Sequence, residues 1–354
     1  MRIAIIGGGI AGLSAGAALS PDAEVLVLER ETVLGYHASG RSAAMFEENY
    51  GNEVVRALNR ASGPVHEALG VLSPRGLLGV AFERDAEAFD RDIVALGLTE
   101  IPVSDARRRI PILAENVVRA GYFEDAWDVD TDRMMQHLAV KVRRNGGDVR
   151  LGAEVQRLFR EDGWRIDLGG SEVHADVIVN AGGAWADQVA MMAGVAPVGL
   201  RALRRSMARL PAPSGFETGD WPMLMGPGET WYAKPDAGAW IVSPAEEDLV
   251  EPMDAWADDM VLAEGLARYE AYVTEPVTRG ETNWAGLRTF APDRALVIGP
   301  APDAEGFFWM AGQGGYGFQT APAAGDLLAD LVLERKSTLG QDVIKALSPS
   351  RFST

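Results

Sequence analysis

The sequence contains no cysteine, and that absence removes disulfide bonds, thiolate nucleophiles, iron–sulfur clusters and cysteinyl attachment of a cofactor. Histidine is nearly as scarce. The four present, His37, His66, His137 and His174, include no pair at metal-ligand spacing, so no metal centre is expected. His66 and His137 fall in helical stretches and His174 beside a strand, where a structural histidine is the ordinary case. No uncharged apolar run reaches the roughly 18 residues a membrane-spanning helix needs. Positive charge is also short: 33 Lys and Arg against 51 Asp and Glu leave a net charge of −18. Such a surface repels a phosphate backbone, which argues against a nucleic-acid partner. What remains is the composition of an ordinary globular chain, 47% hydrophobic and 24% charged over 354 residues, long enough for two domains and expected in the cytoplasm.

The first thirty residues organise the rest. Ile3-Ala-Ile-Ile6 is short, apolar and β-branched, as a buried parallel strand requires, and Gly7, Gly9 and Gly12 follow at once. In this G-x-G-x-x-G spacing Gly7 permits a tight turn, Gly9 lets a pyrophosphate approach the backbone, and Gly12 lets the helix Ile10–Leu19 pack on the strand. The helix N-terminus turns free N–H groups toward the anion. Glu24-Val-Leu-Val-Leu-Glu29 supplies a second strand whose final acid lies 22 residues beyond Gly7, the place for a carboxylate that holds ribose hydroxyls. A secretory signal peptide and a glycine-tolerant core helix are the plainer readings. Glu29 and the glycine spacing argue against the first, and the cost of three helix-weakening glycines against the second.

Downstream, Gly35–Ala44 is small and polar and leads toward a helix start. Ser39, Gly40, Arg41 and Ser42 offer hydroxyls, N–H groups and a guanidinium to a phosphate, or form a plain turn with a capping serine. Helical periodicity marks 53–69, 85–96, 104–110, 132–144 and 254–272, with a last helix ending near Glu334. Short strands at meander spacing occupy 149–174, a buried strand runs into Gly182-Gly183, and aromatic-rich antiparallel strands follow between 203 and 243. No repeat or linker divides the chain. It is expected to interleave a nucleotide-binding domain (1–75, 145–200, 280–354) with a substrate domain (76–144, 201–279).

Ile6-Gly-Gly-Gly-Ile-Ala-Gly12, Gly40-Arg41-Ser42, Asn180-Ala-Gly-Gly-Ala-Trp185, Trp284-Ala-Gly-Leu-Arg288 and Gly312–Thr320 together carry a resemblance. Over nearly its whole length the chain resembles the FAD-dependent D-amino acid oxidase superfamily, and most closely the D-amino acid dehydrogenases of the D-arginine dehydrogenase type. The resemblance implies an α/β fold, with a Rossmann-like FAD-binding domain interleaved with an α+β substrate domain on a mixed, largely antiparallel sheet. It implies non-covalent FAD, with Gly7, Gly9, Gly12, Glu29 and Arg30 at the ADP half and Arg41 and Ser42 near the pyrophosphate and flavin. Val155 would meet the adenine, Gly182 would approach the dinucleotide, and Gly314, Gly315, Gly317, Phe318, Gln319 and Thr320 would lie along the flavin.

An α-amino acid presents a carboxylate, and the planar fork of arginine is its best partner. Arg288, just after a strand, is the leading candidate, and the resemblance places Arg205, Tyr232, Tyr50 and Gln319 around the same cavity. Only one of the neighbours Arg204 and Arg205 can point inward from a strand, and Tyr232 and Trp231 could serve packing alone. Two departures stand out: Leu77 occupies the position of an acid that grips a guanidinium, and Met45 replaces a histidine. Both imply an apolar pocket and a neutral or apolar D-amino acid, oxidised to an imino acid that hydrolyses to a 2-oxo acid and ammonia. A secondary amine of the sarcosine or proline kind and a 2-hydroxy acid are alternatives, and a non-catalytic flavin-binding role is a third. Oxygen or a quinone would serve as electron acceptor.

Overall fold

The computed structural model describes residues 1–277 and 280–352. Its first sheet has six strands in the order Val297–Pro300, Phe307–Ala311, Val177–Asn180, Arg2–Ile6, Glu24–Leu28, Asp148–Arg150. All pair in parallel except Val297–Pro300. The strand Arg2–Ile6 is apolar without alternation because both of its faces are covered. Ile3 and Ile5 pack in one core with Leu13 of the helix Ile10–Leu19, Val142 of Thr131–Arg144 and Leu328 of Gly317–Val332. Ala4 and Ile6 face the opposite core, with Leu158, Trp164 and Ile166 of the antiparallel meander Arg157–Glu161, Gly163–Asp167, Glu172–Ala175.

The largest sheet supplies a second layer. One path through it runs Asp248–Val250, Arg201–Pro211, Ala239–Ser243, Tyr232–Asp236, Met223–Met225, Leu77–Ala81, Arg119–Phe123, Thr99–Ile101, and Thr282–Phe290 joins it at Arg201–Pro211. Arg201–Arg209 pairs antiparallel with the whole of Thr282–Phe290, setting Leu203 opposite Arg288 and Arg205 opposite Gly286. Directly opposed residues share a face, as do alternate residues along a strand. Arg205, Met207, Gly286 and Arg288 therefore lie on one face of the sheet, and Arg204 on the other. A short sheet of Met45–Glu47, Ala126–Val129 and Leu72–Pro74 links the two layers. Asp128 anchors it, bound by Arg75 at 2.6 Å and by the buried ammonium of Lys234 from the large sheet.

The helix Gly317–Val332 contains Pro322, which breaks its hydrogen-bond ladder. The helix Glu53–Leu69 repairs the break: His66 Nε2 donates to the Gln319 carbonyl at 2.9 Å, and Ser62 Oγ accepts from the Ala323 N–H at 3.2 Å. His66 is fully buried, so its role is structural, as its sequence context suggests.

Several elements differ from expectation. The stretch 254–272 becomes helical only at Asp259–Glu270, because the Asp258 carboxylate caps the N–H groups of Met260 and Val261. The preceding residues are drawn away toward Arg41. The region after Gly35 enters a short turn, Ser39–Arg41, and the strand Met45–Glu47 before its helix begins at Glu53. As expected, the large sheet is mixed and largely antiparallel, its parallel pair being Met223–Met225 with Leu77–Gly79. Thr282–Phe290 belongs to the large sheet, so the chain returns to the first sheet after Phe290 rather than at 280. Strand Arg157–Glu161 starts two residues later than the expected Val155, leaving Val155 outside the ladder.

Candidate active site

A long cavity opens at the carboxyl ends of the first sheet and continues beneath the large one. Gly7, Gly9, Glu29, Arg30, Arg41, Ser42, Val155 and Gly182 line its first part; Arg205, Met207, Arg288, Gly314, Gly315, Gly317, Phe318 and Gln319 line the rest. Ligands of open α/β sheets bind at this edge.

The glycine turn has the shape its spacing implies. Gly7 stands at φ +113°, and a Cβ there would lie 2.3 Å from the Ala181 carbonyl oxygen. A Cβ on Gly12 would lie 1.9 Å from the Gly7 carbonyl oxygen, so the helix rests on the turn with no room for a methyl group. Gly12 thus shapes the cavity without lining it. Glu29 is buried, its Oε2 accepting from the Gly8 N–H at 2.6 Å and its Oε1 from the Glu31 N–H at 2.9 Å. Each carboxylate oxygen has two acceptor positions, so capacity remains for ribose hydroxyls. Beside it Arg30 lies over the Trp185 ring at 3.9 Å. An acid at the second strand, a glycine-lined turn and a cavity bordered by backbone fit the ADP half of FAD.

Arg41 is a different matter. Its side chain borders the cavity, but its guanidinium pairs with Asp254 and donates to the carbonyls of Ala255 (2.7 Å) and Ala285 (3.0 Å). It ties the Ser39–Arg41 turn to the 253–257 stretch and the large sheet, and is not free for a phosphate. Ser39, one of the hydroxyls expected to face a phosphate or to cap a turn, accepts from the Ile10 N–H at the helix start at 3.0 Å.

At the other end, Arg288 is half-buried on the cavity face, and its guanidinium lies so close to Gly315 that a Cβ there would be 3.0 Å from Nη1. Among the described residues no Asp or Glu comes within the 4.0 Å of an ion pair with it. Burial opposes its charge, but Tyr50, Tyr232 and Glu229 around it more than offset that and keep it protonated. Arg205 is committed instead: it donates to the Glu246 carbonyl at 2.9 Å and pairs with Glu247 at 3.4 Å, which Arg294 also holds at 2.8 Å. Its neighbour Arg204 pairs with Asp248 on the far face at 3.0 Å, which resolves how two adjacent arginines can both be buried.

Tyr232 and Tyr50 do not line the main cavity. Tyr232 is buried behind Met207, with its hydroxyl 3.6 Å from the sulfur, and Trp231 points the other way, into the aromatic core beside Tyr269 and Tyr272. Tyr50 donates to Glu229 at 3.4 Å, and burial followed by the charge of Glu229 raises its phenol above the ordinary range, so it stays a neutral donor. Gln319 accepts from the Glu47 N–H at 2.6 Å, and Thr320 is buried, its hydroxyl donating to the Tyr316 carbonyl at 2.9 Å. Thr320 therefore holds the helix start and does not line the cavity.

Sequence reasoning missed Glu47. It is 5% exposed; Oε1 accepts from the Asn49 N–H at 2.7 Å and Oε2 has no partner. Burial pushes its carboxyl up to about 7 from the ordinary 4.5. A raised carboxyl means the fold retains the proton between those values. The contribution to stability is therefore complete below pH 4.5 and is lost as pH rises through 7. Glu47→Gln, which mimics the protonated form, is expected to stabilise the protein by about 2 to 3 kcal/mol at pH 8 and by little at pH 4.5. Thermal melts of both proteins across that range provide the check; a Tm difference independent of pH would refute it.

The profile of the FAD dependent oxidoreductase family matches residues 2–331. Among curated proteins the chain is 29% identical to the tRNA 5-methylaminomethyl-2-thiouridine biosynthesis bifunctional protein MnmC of Caulobacter sp. (strain K31), over 100% of this chain and 58% of that protein. It is 24% identical to glycine oxidase of Pseudomonas aeruginosa, over 68% of this chain and 65% of the relative. The chain thus spans less than two thirds of the length of these relatives. Among solved structures, glycine oxidase from Geobacillus kaustophilus superposes with a TM-score of 0.84 at 22% identity, covering 99% of each chain. L-Proline dehydrogenase from P. horikoshii gives 0.82 at 22% identity, covering 99% of this chain and 97% of the other. These similarities do not single out the D-arginine dehydrogenase type. They agree with the interleaved Rossmann-like fold and with FAD as the cofactor of the cavity described above. By the span of the family match and the glycine turn at its head, the chain belongs to the FAD-dependent oxidoreductase (DAO) family.

Proposed function

We propose that the protein oxidises the carbon–nitrogen bond adjacent to a carboxylate in a small amino acid. The observation that carries this reading is Arg288: a guanidinium on the cavity wall, held against Gly315, with no carboxylate partner among the described residues. A charged group in such surroundings is costly unless a ligand completes it, and a planar fork matches a carboxylate best. FAD, when bound, supplies the hydride acceptor. The chain's part is to hold the substrate carboxylate on Arg288, and so fix which hydrogen of the α-carbon faces the cofactor.

Leu77 does not reach the cavity; it is buried behind Met45 in a cluster with Leu96, Leu98 and Met225. Met45, which lines the cavity, supports a substrate whose side chain is neutral or apolar. This favours a D-amino acid such as D-leucine or D-alanine over D-arginine, with the 2-oxo acid and ammonia as final products. Relatives named glycine oxidase and L-proline dehydrogenase favour a second reading, in which the substrate is glycine or a secondary amine. A tRNA substrate is disfavoured by the net charge of −18. No helix among the described residues is long and apolar enough to cross a membrane.

The test is an anaerobic titration of the flavin-loaded protein with D-, L- and N-methyl amino acids, glycine, proline and 2-hydroxy acids, following the flavin absorbance. Bleaching by neutral D-amino acids supports the first reading, and bleaching by glycine, proline or N-methyl amino acids the second. Bleaching by hydroxy acids alone, or by none of these, defeats both.

A further inference from the structure

The residues that line the cavity divide by charge along its length. Its acids, Glu29 and Glu154, lie together at the ADP end, where the Ala153 N–H donates to the Glu29 carbonyl at 2.8 Å. No acid among the described residues lines the other end, yet Arg205 and Arg288 both do. Sheet register makes these two arginines neighbours: Arg205 stands opposite Gly286, two residues from Arg288, and all three share a face. Diagonal neighbours of this kind are about 7 to 8 Å apart, close enough for two long side chains to reach the two ends of one small molecule.

The chain satisfies Arg205 only in part. Its Nε donates to the Glu246 carbonyl at 2.9 Å, but Nη2 reaches Glu247 only at 3.4 Å. Glu247 is engaged more closely elsewhere, since Arg294 holds its two oxygens at 2.8 and 3.0 Å. Among the described residues neither Nη1 of Arg205 nor any nitrogen of Arg288 has an acceptor within 3.5 Å. Gln319 adds a further donor: the Glu47 N–H at 2.6 Å fixes its amide oxygen, which leaves the amide nitrogen of this cavity-lining residue free. This end of the cavity is thus built of donors. One carboxylate offers about four lone-pair positions, and a two-pronged contact with Arg288 fills about half of them. Arg205, 6% exposed and sharing one carboxylate with Arg294, is left short of counter-charge, a state that an anionic ligand relieves.

We propose that the site takes an amino acid with two carboxylates, the first held on Arg288 and the second on the free arm of Arg205, with the Gln319 amide as a further donor. This rests on the reading above that a substrate carboxylate binds Arg288. The second carboxylate lies within a few bonds of the first. Met45 favours a neutral side chain, and an N-carboxymethyl amino acid meets both demands because its second carboxylate sits on the nitrogen. An acidic side chain presents the same group to Arg205, and the experiment separates the two sources.

The experiment uses the flavin-loaded wild-type protein and Arg205→Gln with pairs of compounds that differ by one carboxylate. Iminodiacetate is set against sarcosine and D-aspartate against D-alanine as substrates; succinate is set against propionate as unreactive ligands, followed by their perturbation of the flavin spectrum. In the wild type the member with two carboxylates is expected to be favoured by roughly 10- to 100-fold, in kcat/KM for at least one substrate pair and in Kd for the ligand pair. In R205Q both ratios are expected to fall toward one. A preference in the sarcosine pair places the second carboxylate on the nitrogen, and one in the D-alanine pair places it on the side chain. Absence of any preference in the wild type overturns the proposal without need of the variant, and so does a preference that survives in R205Q. Failure of every amino acid to bleach the flavin defeats the reading of amine oxidation by itself, while the succinate and propionate comparison still decides whether two anionic groups are bound.

Discussion

Replacing Arg288 by Met is expected to lower kcat/KM by about three to four orders of magnitude while leaving the flavin bound. A charge-assisted, two-pronged contact to a carboxylate is among the stronger single interactions available to a binding site. Losing it removes affinity of the order of 3 to 5 kcal/mol. The loss also frees the substrate to rotate, and a reacting hydrogen displaced by even ~1 Å sacrifices much of the remaining rate. Both kcat and KM are therefore expected to change. Met fills similar volume, and the strand Thr282–Phe290 keeps its pairing with Arg201–Arg209, so the fold should persist. Stopped-flow flavin reduction and the ratio of flavin to protein absorbance give the two readouts. A variant within tenfold of wild type would remove Arg288 from substrate binding.

The second large effect is expected at Gly12. Alanine there would set a methyl carbon 1.9 Å from the Gly7 carbonyl oxygen, a distance no side-chain rotation relieves because both groups are backbone-fixed. Either the helix Ile10–Leu19 lifts from the strand or the turn opens, and either movement displaces the edge that lines the cofactor cavity. Overpacking of this kind costs about 1 to 3 kcal/mol or more. G12A is expected to purify with less than about a tenth of the normal flavin and to melt several degrees lower. Normal flavin content at normal Tm would show that the turn tolerates the shift.

These two residues also mark what a reader of the sequence can reach. The glycine turn is legible because its parts are neighbours: strand, turn, helix and acid occupy thirty consecutive residues, and their geometry is decided locally. Arg288 is legible from the match of its planar fork to a carboxylate and from the resemblance, but it lies within the strand Thr282–Phe290 and not just after one. Arg41 was legible only as a cation beside a glycine. Its partner, Asp254, lies 213 residues away, and that one contact turns a candidate phosphate ligand into a structural tie. The same contact explains why helical periodicity over 254–258 does not become helix: competing long-range bonds hold the backbone extended. Glu47 gave no signal at all. What distinguishes it is burial with one carboxylate oxygen unpartnered, and that exists only once the chain has closed around it.

The order of strands in the first sheet bears on how the protein comes into being on the ribosome. Arg2–Ile6 is made well before its neighbours on one side, Val177–Asn180 and then Phe307–Ala311, and before the helix Gly317–Val332 that covers it. Until they emerge, the apolar strand lacks part of its native cover. Such long-range pairing is slow and leaves intermediates prone to association. The flavin site, drawing on both Gly7 and Gly317, cannot be complete until both segments have emerged. Cofactor capture thus follows the pairing of segments more than 300 residues apart, Gly7 and Gly317.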